Sequence, residues 1–360
     1  MSESGSEYFM LQTHFNNPEL LSNVNITVTL EAYYTKKIRE NEAGVVGIGT
    51  SVPGTPSLLL PPDSKNHIIM GHCAPGCTTS WFPTEGITVF ASFLHTHSTG
   101  RGMRLQHFRG DVELPWIISD DNFNYNYQPG RVLREERKVF PGDQLIQRCV
   151  HDTTGKNGSA VIGGYGFVQE MCLSFTYFYN RVPGFSRCTS DIMTENYANL
   201  IGVRNTTFDL SRSETVITEP PQDSGQSFVD FANKNIVWDK QMREEIQRQH
   251  VFEPQISICI DYFARLQEPQ GQVGQMESFS DSNFGWESAS EESLPEENKS
   301  QPNQKTYEHE STFRQNLPVF SPPAICSREN FRGKVGWKGK QNDGIQWQSG
   351  TSKFGFGRRQ

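Results

Sequence analysis

The chain lacks any apolar run that approaches the roughly 20 residues of a transmembrane helix. It is also poor in hydrophobic residues, which make up 35% of its 360 residues, so we expect part of it to remain unpacked. Its net charge is -8, and this negative balance argues against a protein that binds nucleic acid.

The N-terminal segment lacks the features of a signal peptide. Its sequence, MSESGSEYFM, is polar and acidic, without a basic region or an apolar region. Seven cysteines and several N-x-S/T sequons nevertheless favour an oxidising compartment. The contrast suggests a chain that lacks its natural N-terminus, as a partial gene model would. The sequons are at Asn25, Asn157, Asn205 and Asn298.

The spacing of the cysteines argues against a zinc site. Cys73 and Cys77 are close together, but a structural zinc site would need a second close pair, and the sequence has none. Widely spaced cysteines in a β-rich chain suit disulfide bonds better, with free buried thiols as the alternative. The seven cysteines are Cys73, Cys77, Cys149, Cys172, Cys188, Cys259 and Cys326.

Alternating polar and apolar residues dominate from about residue 22 to residue 185. The segments NITVTLEAYYT, ITVFASFLHTH and SAVIGGYGFVQEMCLSFTYFY are rich in β-branched and aromatic residues. Gly and Pro clusters such as PPD and PGD separate these segments and mark turns. The pattern predicts an all-β fold, an antiparallel β-sandwich or jelly roll.

The composition changes after residue 190. Helical patterns occupy 192–201 and 228–249, and we expect them to form an extension over 190–265 that packs on the sandwich. After about residue 265 the chain is poor in apolar residues and includes an acidic Ser/Glu run. Residues 266–360 are therefore predicted to form a disordered tail.

Two histidines, His95 and His97, are separated by one residue within a predicted strand. Side chains at such positions project from the same face of the strand. Imidazoles on one face can hold a transition metal, and the distant thioether of Met171 is a soft ligand that favours Cu(I). The three residues form a candidate copper site, although paired histidines on a strand are more often ordinary surface or core residues.

The sequence around these residues carries more information than their spacing. The segments LHTHSTGRGMRLQHFR, VFPGDQLIQRC and VIGGYGFVQEMCLSFTYFY resemble the second catalytic domain of the copper type II, ascorbate-dependent monooxygenases. This family includes dopamine β-hydroxylase, tyramine β-hydroxylase and peptidylglycine α-hydroxylating monooxygenase, and the chain is most similar to the dopamine β-hydroxylase-like group. The resemblance covers roughly residues 8–265, with 22–189 as the oxygen-activating copper domain.

The resemblance implies copper as the metal and ascorbate as the reductant. It places the ligands of the copper that meets O2 at His95, His97 and Met171, which leave an open coordination position. It also implies three disulfides and leaves Cys326 to pair with sequence that this chain lacks. The implied pairs are Cys73–Cys188, Cys77–Cys259 and Cys149–Cys172.

The first copper site of the family is incomplete in this sequence. LQTHFNNPE resembles the end of the family's first copper domain, so residues 1–21 are expected to be its remnant and His14 a remnant ligand. The two partner ligands in the family come from an adjacent His-His pair, which occurs nowhere in this chain. One imidazole does not make a stable copper site, so we expect impaired hydroxylation by this chain. The alternative is a non-catalytic secreted module that acts by binding or scaffolding.

The substrate and partners follow from the resemblance only in outline. The peptide-amidating branch has an arginine at the position of Phe93, so a phenethylamine-like substrate is favoured over a peptide carboxylate. Phe175 replaces a tyrosine that usually follows the methionine ligand. The implied partners are a small-molecule substrate and O2, with a homo-oligomer left open. The implied location is the secretory pathway, a vesicle lumen or the extracellular space, and the implied role is in catecholamine metabolism.

The remaining histidines are given lesser roles. His107 and His151 are expected at the surface, and His67 and His72 are weak metal candidates. A zinc hydrolase would need a general base and a complete ligand set near His95, and the sequence does not offer them.

Overall fold

The computed structural model describes residues 17, 19–31, 33, 35, 37, 39–260 and 307–311. The predictions for His14, Cys326 and Asn298 lie outside the described residues, as does most of the predicted tail. None of the helices in the described ranges is long and apolar enough to cross a lipid bilayer.

Strands dominate the part of the chain that the structure describes. The strands are β1 Gly44–Thr50, β2 Leu59–Leu60, β3 His67–Cys73, β4 Ile87–His95, β5 Gly100–Arg109, β6 Val112–Asp120, β7 Arg131–Val139, β8 Asp143–His151, β9 Val161–Ile162, β10 Leu173–Tyr179, β11 Arg187–Asp191, β12 Asn205–Asp209, β13 Glu214–Glu219, β14 Gln255–Ile260 and β15 Tyr307–Ser311. The helices are α1 Pro75–Trp81, α2 Glu195–Ile201, α3 Phe228–Asn235 and α4 Lys240–Phe252, with a short 3-10 turn at Pro221–Asp223.

Two sheets pack against each other to form a sandwich. One has seven strands in the order β15-β14-β11-β1-β10-β4-β7, and the other has four in the order β3-β8-β5-β6. Neighbouring strands are antiparallel, except that β1 and β11 are parallel. Apolar side chains of both sheets, such as Ile48, Leu94 and Leu105, are buried in one continuous core. The all-β sandwich predicted from the alternation is confirmed.

β1 and β3 approach each other closely through two glycines. A Cβ atom added to Gly71 would lie 2.0 Å from the carbonyl carbon of Gly49. One added to Gly49 would lie 1.9 Å from the carbonyl oxygen of Cys172. Only residues without a Cβ atom fit this contact, which holds the four-stranded sheet against the start of β10.

The segment NITVTLEAYYT does not form the predicted strand. Its described residues lie in no strand, and the first strand of the sandwich begins instead at Gly44. Its three alternating apolar side chains are all exposed, so they contribute nothing to the core. They are Ile26, Val28 and Leu30. An alternating pattern becomes a strand only when a sheet edge pairs with it, and none of the described strands pairs with this segment.

Three helices and the β12–β13 hairpin lie between β11 and β14 of the sandwich. Thr194 and Asp239 cap α2 and α4 by accepting hydrogen bonds from backbone N–H groups in the first turn of each helix. The helix predicted over 228–249 is interrupted between α3 and α4. A second apolar cluster, which includes Leu59, Ile162 and Phe228, joins these helices to the β2–β9 pair.

One part of the predicted tail belongs to the sandwich. Tyr307–Ser311 forms β15, which pairs with β14 at the edge of the seven-stranded sheet. These five residues differ from the prediction of a disordered tail. The segment is acidic and polar, and the partner edge of β14 rather than its own apolar content explains the strand.

Three disulfides brace the fold, and they are the pairs that the resemblance implies. Two of them join the sheets: β3 to β11, and β8 to the residue that precedes β10. The third joins α1 to β14. Closing loops of this length restricts the unfolded chain and contributes on the order of 3–5 kcal/mol for each bond. The pairs are Cys73–Cys188, Cys149–Cys172 and Cys77–Cys259.

Candidate metal centre

β4 and β10 bring the predicted ligands to one end of the seven-stranded sheet. His95 is the last residue of β4 and pairs with Leu173, the first residue of β10. His97 lies two residues beyond His95, and Met171 lies two residues before Leu173. The three side chains therefore stand on adjacent segments, and the two imidazole centroids are 5.4 Å apart.

The His97 imidazole is held by a backbone carbonyl. Its Nδ1 atom lies 2.8 Å from the carbonyl oxygen of Gln169. A carbonyl oxygen only accepts, so Nδ1 carries the proton and donates it. This tautomer puts the lone pair of the ring on Nε2, the nitrogen that can bind a metal.

The His95 imidazole is held by a side-chain amide. Its Nδ1 atom lies 2.8 Å from Oε1 of Gln128. The Gln128 amide nitrogen donates to the carbonyl oxygens of Thr96 and Tyr125, so the amide orientation is fixed and Oε1 must accept from His95. The lone pair of this ring is therefore also on Nε2. No local pattern identified Gln128, because it lies 33 residues beyond His95.

Met171 lies just before β10, on the segment adjacent to the one that carries the two imidazoles. The residue is 7% exposed and belongs to the main core cluster. The next residue, Cys172, is bonded to Cys149 of β8, so the backbone beside the thioether is covalently tied to the other sheet. A buried thioether held in this way has few alternative positions, which suits a weak, soft metal ligand.

A buried carboxylate lies between the two ligand segments. Glu170 is 0% exposed, and its Oε2 atom accepts from the backbone N–H groups of His97, at 2.9 Å, and Met171, at 3.2 Å. Its Oε1 atom accepts from the backbone N–H of Thr99 at 2.7 Å. Nothing in the sequence pattern distinguished this glutamate from a surface residue beside the methionine.

Aromatic rings line the sheet next to His95. Phe93 stacks on the His95 imidazole with centroids 5.8 Å apart, and Phe175 of β10 stacks on Phe93 at the same separation. All three side chains are half-buried. Positions expected from the resemblance to matter for substrate choice therefore form one aromatic wall beside the candidate ligand.

His107 is buried in an ion-pair cluster rather than at the surface as predicted. Its Nε2 atom lies 2.8 Å from Asp143, which also accepts two hydrogen bonds from Arg109. Burial alone would raise the pKa of Asp143, but the hydrogen bonds from Arg109 and His107 outweigh it and hold that pKa well below its usual range. The cluster joins β5 to the first residue of β8.

His151 is also buried, contrary to its predicted place in a solvated turn. It is the last residue of β8, and its Nδ1 atom lies 2.9 Å from Oγ1 of Thr99 and 3.9 Å from Oε2 of Glu170. Burial lowers the pKa of His151, although the Glu170 carboxylate opposes the shift. A neutral imidazole thus stands behind the buried carboxylate.

A second histidine pair joins the sandwich to the extension. Nε2 of His67 lies 2.8 Å from Nδ1 of His250 on α4, and Nε2 of His250 lies 3.2 Å from the hydroxyl of Tyr197. All three residues are almost completely buried. Burial lowers the pKa of His250 to about 3. The pKa of His67 also lies well below its usual value, mainly because the ring is buried and in addition because His250 is close.

The described residues contain no group of three or more His, Cys, Asp or Glu side chains that converge on a metal position. Two imidazoles and one thioether are the donor set that remains, and its softness suits copper better than zinc.

This disulfide-braced β-sandwich carries two imidazoles of fixed tautomer and a buried thioether on adjacent segments. These features define the class of candidate copper-binding redox domains. Residues 41–201 match the sequence model of the family described as copper type II ascorbate-dependent monooxygenase, C-terminal domain. Residues 41–201 of the chain are therefore similar to the C-terminal domain of this family of copper monooxygenases.

Three relatives show the extent of the similarity. DBH-like monooxygenase protein 1 of Homo sapiens is 35% identical over 63% of this chain and 37% of its own length. Dopamine beta-hydroxylase of Homo sapiens is 30% identical over 71% of this chain and 39% of its own length. Tyramine beta-hydroxylase of Caenorhabditis briggsae is 35% identical over 48% of this chain and 29% of its own length. The chain thus spans less than two fifths of each of these relatives.

Proposed function

We propose that His95, His97 and Met171 hold one copper ion and that the chain supplies the oxygen-activating half of an ascorbate-dependent monooxygenase. The observation that carries the proposal is the tautomer of the two imidazoles. Both Nδ1 atoms donate to fixed oxygens, so each ring carries its lone pair on Nε2, the nitrogen that would bind the metal. These donors fit a copper ion that favours the reduced state.

Copper bound at this site would supply the redox chemistry with O2 that hydroxylates a C–H bond. The chain's own residues supply position and shielding. Gln128 and the Gln169 carbonyl hold the imidazoles, and the disulfide from Cys149 to Cys172 holds the backbone beside Met171. A fixed ligand set reduces the reorganisation that a change of copper oxidation state requires.

We propose a phenethylamine-like substrate and a role in catecholamine metabolism. The aromatic wall of Phe93 and Phe175 beside His95 supports an aromatic substrate, which would stack there with its side chain near the metal. An arginine that could grip a peptide carboxylate is replaced by Phe93. Relatives named for dopamine and tyramine hydroxylation support the same substrate class.

The domain division remains our proposal. Residues 1–21 would be the remnant of a first copper domain, 22–189 the oxygen-activating domain, 190–265 the extension and 266–360 the tail. His14 would be the remnant ligand of the first copper. Because the chain has no adjacent His-His pair, we propose that it hydroxylates poorly by itself.

That missing pair also favours a second candidate function, a non-catalytic secreted module that binds or scaffolds. Such a module would retain the sandwich and the single copper site but would not turn over substrate. Ascorbate-dependent hydroxylation of a phenethylamine by the purified chain separates the two candidates. Sustained turnover would exclude the module, and copper binding without turnover would support it.

A secreted, glycosylated protein is part of the proposal. Three disulfides suit an oxidising compartment. Asn25 and Asn157 are exposed and Asn205 is half-buried, so the first two are the better acceptors for a glycan. The oligomeric state is to be measured on the secreted protein.

The copper content of the secreted, purified chain tests the metal assignment directly. We expect about one copper per chain, and loss of that copper in His95→Ala. His107→Gln is the matched control, because it changes a buried histidine of the same sandwich that donates to Asp143 instead of facing the site. Copper that stays in His95→Ala, or a copper-free wild-type chain, would contradict the assignment.

A further inference from the structure

We propose that Glu170 is a positioning residue that fixes His97 and Met171 relative to each other, so that the metal site exists before the metal arrives. This inference rests on the proposed function of His97 and Met171 as ligands. Glu170 is not itself one of the proposed copper ligands. It acts through the backbone of the two ligand segments.

The backbone between β4 and β5 explains why a carboxylate is needed. β4 ends at His95 and β5 begins at Gly100, so residues 96–99 leave the sheet ladder within the protein interior. Thr99 is buried and His97 is half-buried, and their N–H groups need partners once the ladder is interrupted. The Glu170 carboxylate accepts from both N–H groups and therefore replaces the missing sheet partner.

Glu170 reaches the second ligand segment through its own neighbour. The same Oε2 atom that accepts from His97 also accepts from the N–H of Met171. One oxygen atom thus contacts the backbones of both ligand segments and links their positions. A movement of either segment would lengthen a hydrogen bond to a buried acceptor, which is costly because water does not reach it.

Glu170 is itself held in place. Its N–H donates to the carbonyl oxygen of Ile162 at 2.9 Å, and its carbonyl oxygen accepts from the N–H of Gly164 at 3.1 Å. The neutral His151 imidazole stands behind the carboxylate at 3.9 Å. Hydrogen bonds to Ile162 and Gly164 therefore hold the backbone that carries the carboxylate.

The substitution Glu170→Gln separates positioning from bulk. An amide has the same shape as the carboxylate but only one acceptor oxygen, so its NH2 group must face at least one of the three N–H donors. The shape of the buried side chain stays, while at least one of the three accepted hydrogen bonds is lost and replaced by two donors that face each other. Asp143→Asn is the matched control, because Asp143 is an equally buried carboxylate that accepts a backbone N–H, from Phe140, but lies in the His107 cluster.

Two measurements on the whole chain test the proposal. Cu(I) affinity by competition with a chelator should fall about 10–100-fold in Glu170→Gln and stay within about threefold of wild type in Asp143→Asn. X-ray absorption of the Cu(I) protein should show the copper–sulfur contribution in wild type and Asp143→Asn and its loss in Glu170→Gln. Equal affinity and an unchanged sulfur signal in Glu170→Gln would overturn the inference.

The copper-free wild-type chain gives a readout that needs no variant to fold. The amide protons of His97, Thr99 and Met171 should exchange slowly with solvent and show through-bond coupling to the Glu170 carboxylate carbon. Fast exchange without that coupling would also overturn the inference. A wild-type chain that has this coupling but binds no copper would instead show that the proposed metal function has failed while the positioning role of Glu170 stands.

Discussion

The molecule contains two histidine pairs that differ in what their nitrogens face. In the pair His95–His97 each Nδ1 donates to a fixed oxygen, and each ring is half-buried at the end of a sheet. In the pair His67–His250 one imidazole faces the other at 2.8 Å, and both rings are buried. In the first pair the lone pair of each ring is on Nε2, while in the second pair the facing nitrogens contact each other.

The different partners of the ring nitrogens indicate that the proximity of two imidazoles is not sufficient for a metal site. Either tautomer of the His67–His250 contact requires one ring to donate and the other to accept. A metal ion would have to displace that hydrogen bond within a region where burial already lowers both pKa values. Hydrogen-bonded oxygens behind the rings, as at Gln128 and Gln169, are the feature that distinguishes the first pair.

The largest effect should be on copper content, when the first histidine pair is removed and the second pair is removed for comparison. His95→Ala/His97→Ala should lower bound copper from about one per chain to almost none, because the thioether alone is a weak ligand. His67→Gln/His250→Gln should leave the copper content unchanged. The measurement is copper per chain by atomic spectroscopy on folded, oxidised protein. Copper loss in the second variant would show that the two pairs do not differ as described.

The next effect concerns pH. The folded-state pKa of His250 is about 3, so the folded chain binds fewer protons than the unfolded chain once the pH falls below about 6.5. The contribution of His250 to the free energy of unfolding should therefore be fully present above that pH and should be lost as the pH falls. From pH 7 to pH 5 His250 alone should remove about 2 kcal/mol of unfolding free energy, and His67 acts in the same direction.

Urea denaturation of the copper-free chain at pH 7 and pH 5 measures this loss. The double variant His67→Gln/His250→Gln should have a flatter pH dependence, since glutamine retains hydrogen bonding but does not titrate. Both proteins keep His95, His97 and His151, so these histidines cancel in the comparison. Parallel pH curves for the two proteins would contradict the prediction.

A smaller effect should follow from the support behind the first pair. Gln128→Leu removes the acceptor of His95 Nδ1 and frees the ring to rotate or to change tautomer. We expect Cu(I) affinity to fall about tenfold. Gln226→Leu, at an exposed glutamine, is the control and should leave the affinity unchanged. An unaltered affinity in Gln128→Leu would mean that the amide does not hold the ligand.

The smallest effect should come from the aromatic wall. Phe175→Tyr adds the hydroxyl that the resemblance predicts at this position, on a ring whose centroid lies 6.3 Å from that of His95. Cu(I) affinity should change by about twofold or less, because ring stacking is retained. A change of tenfold or more would place this position among the groups that hold the metal.

The sequence was sufficient for the sandwich, because strand alternation is a local signal. The motif around His95 predicts three ligands, which the structure puts on adjacent segments but does not test as ligands. The sequence failed for NITVTLEAYYT, whose alternation is equally clear, because a strand also needs a partner edge that alternation does not reveal. It failed for His151 and Glu170 for a related reason. Their burial depends on Thr99, a residue more than 50 positions away, and no local pattern records that contact.

The three disulfides have a consequence for proteolysis. The exposed loop after His151, which includes Asn157, lies inside all three disulfide-closed loops. A protease that cuts this loop would separate His95 and His97 from Met171 in the sequence, but the two fragments would remain covalently joined. The cut would be visible only after reduction, and a nicked chain could keep all of its candidate copper ligands in place.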